Sequence, residues 1–202
     1  MPVSAPKRGS SVCSRAISLI LLLAVPGVTG CGRQTGADRD TEALRSAWAL
    51  LAERNPDAAL PAVKGFLQRH PESAAGHFLL GKCHLHRSNA NTTIALGEFE
   101  TALALHGASP EAGFPEAGFA SGASFAAALH RDAALSLMRA FYDASGSGVP
   151  VSLTVTALQR ALDHVRKGLE NAPDDAYLRE MLATLEGLRS PVPLETGREI
   201  TI

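Results

Sequence analysis

One group of side chains combines the residue types that bind transition metals. It consists of His77, Cys83, His84 and His86. A thiolate with imidazoles is a donor set for zinc or copper, as in a metal-handling protein. Neighbouring residues of a helix point in different directions, however, so Cys83 and His84 cannot both face one ion. No second cysteine or carboxylate pair lies nearby, so we expect no metal site and keep these four as weak candidates.

The rest of the chain lacks the patterns of common catalytic sites. It has no phosphate-binding loop, glycine-rich dinucleotide motif, nucleophile elbow or zinc-protease motif. Four further histidines stand singly near helix ends or on polar faces: His70, His106, His130 and His164. With 19 basic against 20 acidic residues, the chain also lacks the clustered positive charge of a nucleic-acid binder. We therefore expect neither an enzyme nor a cofactor.

Residues 1–30 have the layout of an export signal. Lys7, Arg8 and Arg15 precede a run at 16–25 that is apolar except for Ser18, and residues 1–15 contain no acid. As a helix this run would be about 15 Å long, which is far less than the ~30 Å hydrocarbon core of a bilayer. We therefore predict a removable leader rather than a membrane span.

The end of this leader has a lipid-attachment pattern. Residues 28–31 read Val28-Thr29-Gly30-Cys31, which resembles the lipobox of bacterial lipoproteins. The resemblance implies cleavage between Gly30 and Cys31, acyl chains such as palmitate on Cys31, and anchoring to the membrane surface. Because Gly32 is not the aspartate that retains lipoproteins at the inner membrane, it also implies the periplasmic face of the outer membrane in a Gram-negative cell. The alternative is ordinary secretory cleavage, with Cys31 incidental.

The remaining chain favours an all-α fold because it is rich in Ala and Leu and poor in β-branched residues. Prolines at 56, 71 and 173 mark the clearest joints between helices. Helices are predicted at 40–54, 57–69, 73–88, 91–106, 123–145, 151–171 and 174–189. We expect a tether at 31–39, a loop at 107–122 containing the duplicated sequence PEAGF, and a flexible tail at 190–202.

Small and large residues recur at a fixed spacing along these helices. Ala59, Val63, Phe66 and Pro71 have the same spacing as Ala161, Val165, Gly168 and Pro173, and Ala95, Phe99 and Ala102 match the first three positions. The pattern resembles the second helix of the tetratricopeptide repeat, and Leu80-Gly81 resembles its first helix. The resemblance implies a right-handed solenoid over 40–189, with about three antiparallel helix pairs and a terminal helix. A generic stack of helical hairpins is the alternative.

In tetratricopeptide proteins the first helices line a concave groove that binds a peptide or a helix. Carrying those positions over gives the groove residues Trp48, Ala75, Phe78, Lys82, Leu85, Tyr177 and Glu180. Large residues at such positions are also common in cores.

The sequence therefore favours a membrane-anchored adaptor or scaffold that binds a protein partner in the bacterial cell envelope. Two alternatives remain open at this point. One is a metal-handling or cytochrome-maturation accessory that uses Cys83 and His84. The other is a dimerisation module in which the terminal helix at 174–189 pairs with a second copy.

Overall fold

A computed structural model describes residues 36–110, 112–145 and 151–189. Within these ranges it has seven α-helices: α1 (Gly36–Ala52), α2 (Pro56–Arg69), α3 (Ala74–His86), α4 (Thr92–Gly107), α5 (Gly122–Ser145), α6 (Val151–Asn171) and α7 (Ala176–Arg189). The all-α prediction is confirmed. The predicted leader, the lipid-attachment cysteine Cys31 and the tail at 190–202 lie outside the described residues.

Side-chain caps explain why the helix starts predicted from the sequence lie close to those of the structure. Asn55, Ser73 and Asn91 each precede a helix and accept a hydrogen bond from a backbone N–H of its first turn. Asp175 does the same for α7, with its Oδ1 3.0 Å from the Leu178 nitrogen. These contacts satisfy backbone donors that have no partner within the helix, so the helix starts are fixed locally.

The first helix begins earlier than predicted. Residues 36–39, expected in the tether, belong to α1. Asp40 holds this first turn because its Oδ1 lies 2.9 Å from Arg69 Nη2 and its Oδ2 lies 2.7 Å from His70 Nε2. These hydrogen bonds lower the pKa of Asp40, with Arg69 contributing most. Both partners come from the end of α2, so local sequence could not reveal the contact.

The helices pack in adjacent pairs along the chain, α1 with α2, α3 with α4 and α5 with α6, and α7 packs on α6. Two glycines permit close approach within this stack. A Cβ on Gly81 would lie 2.6 Å from Phe99 Cε1, and one on Gly168 would lie 2.9 Å from Leu178 Cδ1. Both glycines occupy the small positions of the predicted repeat spacing.

Residues 112–122, within the predicted loop at 107–122, contain more regular structure than we expected. Phe114 and Phe119 form an isolated antiparallel bridge, with Phe114 N 2.7 Å from Phe119 O, around the 3₁₀ turn Pro115–Ala117. Phe114 is fully buried. The duplicated PEAGF sequence supplies both rings, so it builds a small hairpin that packs against α1 rather than a spacer.

Buried side chains form two clusters. The larger one joins α1 to α5 and the hairpin, and its biggest members are Phe78, Phe99, Phe114 and Phe125. The smaller one lies between α5, α6 and α7, around Leu162, Val165 and Leu178. None of the described helices combines the length and the apolar character that a membrane span requires.

Two glycine-to-alanine substitutions should have opposite effects on stability. Gly97 lies on α4, and a Cβ at this position would have no neighbouring atom within 4 Å. Gly97→Ala should therefore raise the free energy of unfolding by about 0.5–1 kcal/mol through helix propensity. Gly81→Ala has the same propensity gain but meets the buried Phe99 ring, and should lower that free energy by about 1–3 kcal/mol. Urea unfolding followed by circular dichroism measures both, and equal effects would refute the close packing of α3 on α4.

Candidate functional site

A cavity of 510 Å³ opens beside α1 and α3. It is lined by Trp48, Leu51, Ala52, Arg54, Lys82 and His86. Trp48 and Leu51 give it an apolar wall, while the other side carries basic side chains. This combination of an apolar surface with a few polar groups is typical of binding cavities.

Trp48 is half-buried and forms the apolar wall of the cavity. Its ring centroid lies 6.2 Å from that of Phe78 and 6.1 Å from that of Phe119. Lys82 Nζ lies 5.8 Å from the Trp48 centroid and 5.4 Å from the Phe78 centroid, within range of a cation–π interaction. The indole therefore has a fixed position between the aromatic core and the cavity.

Lys82 is fixed by an ion pair that crosses from α3 to α5. Its Nζ donates to Asp132 Oδ2 at 2.7 Å, and the two side chains are only 13% and 4% exposed. Arg131 Nε lies 3.6 Å from the other carboxylate oxygen. Nearby, Arg139 Nη1 donates to the Leu85 carbonyl at 3.0 Å near the end of α3. The Asp132 carboxylate is therefore already engaged by cations.

Arg54 is the exposed cation at the cavity mouth, just after α1, at a backbone φ of 59°. It forms no ion pair with any carboxylate of the described residues. His86 lines the same cavity, and desolvation together with the nearby Lys82 charge lowers its pKa. Within the described part of the chain, the cavity thus presents an unpaired positive charge at its mouth and a paired one at its base.

The structure brings together only part of the predicted groove. Trp48 and Lys82 line the cavity, but Phe78 and Leu85 are 0% and 1% exposed and cannot contact a partner. The prediction was wrong for these two because α3 has neighbours on several sides, which bury most of its surface. Sequence reasoning also missed Leu51, Arg54 and Asp132.

Three other predicted groove residues lie away from this cavity. Ala75 lines a separate cavity of 250 Å³ together with His106. Tyr177 and Glu180 are exposed on α7 and line no described cavity with Trp48. Of the seven predicted groove positions, Trp48 and Lys82 therefore form the candidate site.

The weak metal candidates do not converge on one point. Cys83 is fully buried, and this burial raises the pKa of its thiol to about 11. His77 is engaged by Glu98 Oε2 at 2.7 Å and by the Pro71 carbonyl at 2.8 Å. His84 is half-buried and His86 exposed. No group of three or more potential metal ligands occurs in the part of the chain that the structure describes.

The remaining histidines are not solitary, contrary to expectation. His130 on α5 faces His164 on α6, with their Nδ1 atoms 3.0 Å apart. Burial lowers the pKa of His130 to about 4, with a further contribution from His164. His106 is buried, and its Nδ1 has no hydrogen-bond partner within the described residues. The contact between His130 and His164 joins residues far apart in sequence, so no local pattern could indicate it.

No protein-family model matches the chain, and no curated protein is significantly similar to it. The chemistry of the candidate site therefore has to be argued from its own residues.

Removing the acidic partner of Lys82 should strongly destabilise the folded protein. Asp132→Ala leaves a buried ammonium group uncompensated and should lower the free energy of unfolding by about 3–5 kcal/mol. Glu42→Ala is the matched control, because Glu42 pairs with Arg45 on the surface of α1 and should change stability by less than about 1 kcal/mol. Chemical unfolding of both variants measures the difference, and similar small losses would show that the Lys82–Asp132 pair is solvated.

Proposed function

We propose that this protein is a lipid-anchored adaptor of the bacterial cell envelope that binds an acidic, extended segment of another protein. The observation that carries the proposal is the 510 Å³ cavity that is lined by Trp48 together with Arg54 and Lys82. Adaptor function needs a binding surface of this kind but no reacting group.

The shape and charge of the cavity favour a peptide over a compact polar ligand. Its volume falls within the range of about 300–1,000 Å³ that is usual for ligand cavities, so the charge and the aromatic surface, not the volume, favour a peptide. Trp48 offers a fixed aromatic surface, and such residues contribute much of the binding energy at interfaces. Arg54 has no ionic partner in the described residues, so a carboxylate of the bound segment would supply one. An acidic residue next to an apolar one is the simplest complement.

The helix packing supports the adaptor hypothesis from a second direction. Helices stacked in adjacent pairs, with glycine at the close contacts Gly81–Phe99 and Gly168–Leu178, fit the tetratricopeptide-like interpretation of the sequence. Proteins built in this way commonly present an extended binding surface. The membrane part of the proposal rests on residues 1–31 alone, where the charged leader, the apolar run and the lipobox pattern follow one another.

The metal-handling alternative has less support. It requires Cys83 as a thiolate ligand beside His84, but Cys83 is buried with a raised pKa, which disfavours the thiolate. Binding a protein partner requires only an apolar surface and a few polar groups, and the cavity beside Trp48 has both.

Lipid attachment can be tested by mass. The intact protein extracted from bacterial membranes should begin at Cys31 and carry acyl mass. Cys31→Ala should lack both the acyl mass and the membrane association, because the thiol that accepts the lipid is gone. Mass spectrometry of the two forms decides the point, and an unlipidated wild-type protein that begins elsewhere would refute the anchor.

Peptide binding can be tested with Trp48, the single tryptophan of the chain. Its fluorescence should change when a peptide with alternating aspartate and leucine residues is added to the full-length protein in detergent, but not with a lysine and leucine counterpart. Arg54→Glu should weaken binding by about tenfold or more, because it replaces attraction by repulsion at the cavity mouth.

Arg189→Glu is the matched control, since it makes the same charge change at the end of α7, where no cavity residue lies. It should leave the affinity within about twofold. Equal weakening in both variants would show only a general effect of net charge. Binding of the basic peptide with higher affinity would overturn the proposed partner chemistry.

A further inference from the structure

A pair of histidine side chains, His130 and His164, lies between α5 and α6, apart from the cavity beside Trp48. His130 Nδ1 and His164 Nδ1 are 3.0 Å apart, the ring centroids are 5.3 Å apart and the ring planes are inclined by 49°. Both imidazoles are part-buried. A hydrogen bond between two Nδ1 atoms requires that one of them lack a proton, so at least one ring presents a lone pair toward the other.

This spacing is close to that of two imidazoles on one metal ion. With metal–nitrogen bonds of about 2.0 Å, two adjacent ligands are separated by about 2.8 Å in square-planar geometry and about 3.3 Å in tetrahedral geometry. The observed 3.0 Å lies between these values. If the rings turn so that the hydrogen bond between them is broken and both nitrogens lose their protons, both lone pairs can be directed to one ion. The two ligands come from different packed helices, so their separation is set by the fold.

The space beside the pair could hold the further ligands of a bound ion. A cavity of 190 Å³ adjoins His164 and is lined by Arg160, Asp163 and Lys167. Its charges are mixed, because Arg160 pairs with Glu100 of α4 and Asp163 is present beside Lys167. No third protein ligand completes a metal group within the described ranges. Water or a group from another molecule would therefore fill the open positions.

We propose that His130 and His164 form a two-histidine site for a divalent transition metal, and that copper(II) is the ion that it binds best. Copper(II) has the highest affinity of the divalent first-row metals for nitrogen ligands, and the nitrogen spacing lies between the values for its square-planar geometry and for tetrahedral geometry. The 190 Å³ cavity beside His164 offers space for its further ligands.

The test is a copper(II) titration of the full chain carrying Cys13→Ser and Cys31→Ser, so that neither thiol competes. Electron paramagnetic resonance should show one copper ion with two imidazole nitrogens, and copper should raise the thermal unfolding midpoint, because it binds the folded state. His130→Gln and His164→Gln should each lower the affinity by about tenfold or more, since one of the two protein ligands is lost.

His84→Gln is the matched control, because it removes a half-buried imidazole of α3 that belongs to no such pair. It should leave copper affinity and the two-nitrogen spectrum unchanged. A wild-type spectrum without two imidazole nitrogens would overturn the site even if a variant failed to fold. So would equal affinity in the His130→Gln, His164→Gln and His84→Gln proteins.

Discussion

The buried ring of Phe78 connects several of the packed elements of this protein. Its centroid lies 5.4–6.3 Å from those of Trp48, Phe99, Phe114, Phe119 and Phe125. Those residues belong to α1, α4, the hairpin and α5, so a single side chain of α3 contacts four other elements of the larger core. An isolated helix of this kind would expose its apolar face to solvent. The helices stack because packing buries these faces against one another. The same burial prevents Phe78 from contacting a partner.

The site depends on this core because its residues lie at the edge of the aromatic cluster. Trp48 stacks on Phe78, makes an edge contact with Phe119 and also lines the cavity. Lys82 lies above both Trp48 and Phe78, and Asp132 holds its ammonium group from the neighbouring helix. A basic group is thereby held close to an apolar wall. Neither group would have this position without the hydrophobic packing beneath it.

The sequence predicted what is decided locally and failed where distant residues meet. Proline positions and capping residues such as Asn55 and Ser73 act within one helical turn, so the helix ends were found to within a few residues. The start of α1 was missed because Asp40 is held by Arg69 and His70. The sequence predicts only a loop at 107–122, because Phe114 and Phe119 pack against Trp48 and Phe125, which are distant in sequence or lie on another element. Trp48 and Lys82 were identified by repeat spacing, whereas the pair of His130 and His164 needed the fold.

The hairpin at Phe114 and Phe119 also changes how the stack should lose its structure. In a simple solenoid each repeat contacts only its neighbours, so unfolding can begin at one end and proceed unit by unit. Here the Phe114 ring bridges directly to Trp48 of the first helix, 6.4 Å away between centroids. The helices α1 to α5 are thus tied into one cooperative unit, while α6 and α7 depend mainly on the smaller core. The cavity beside Trp48 should therefore persist or disappear as a whole on unfolding, which an open array of repeats does not require.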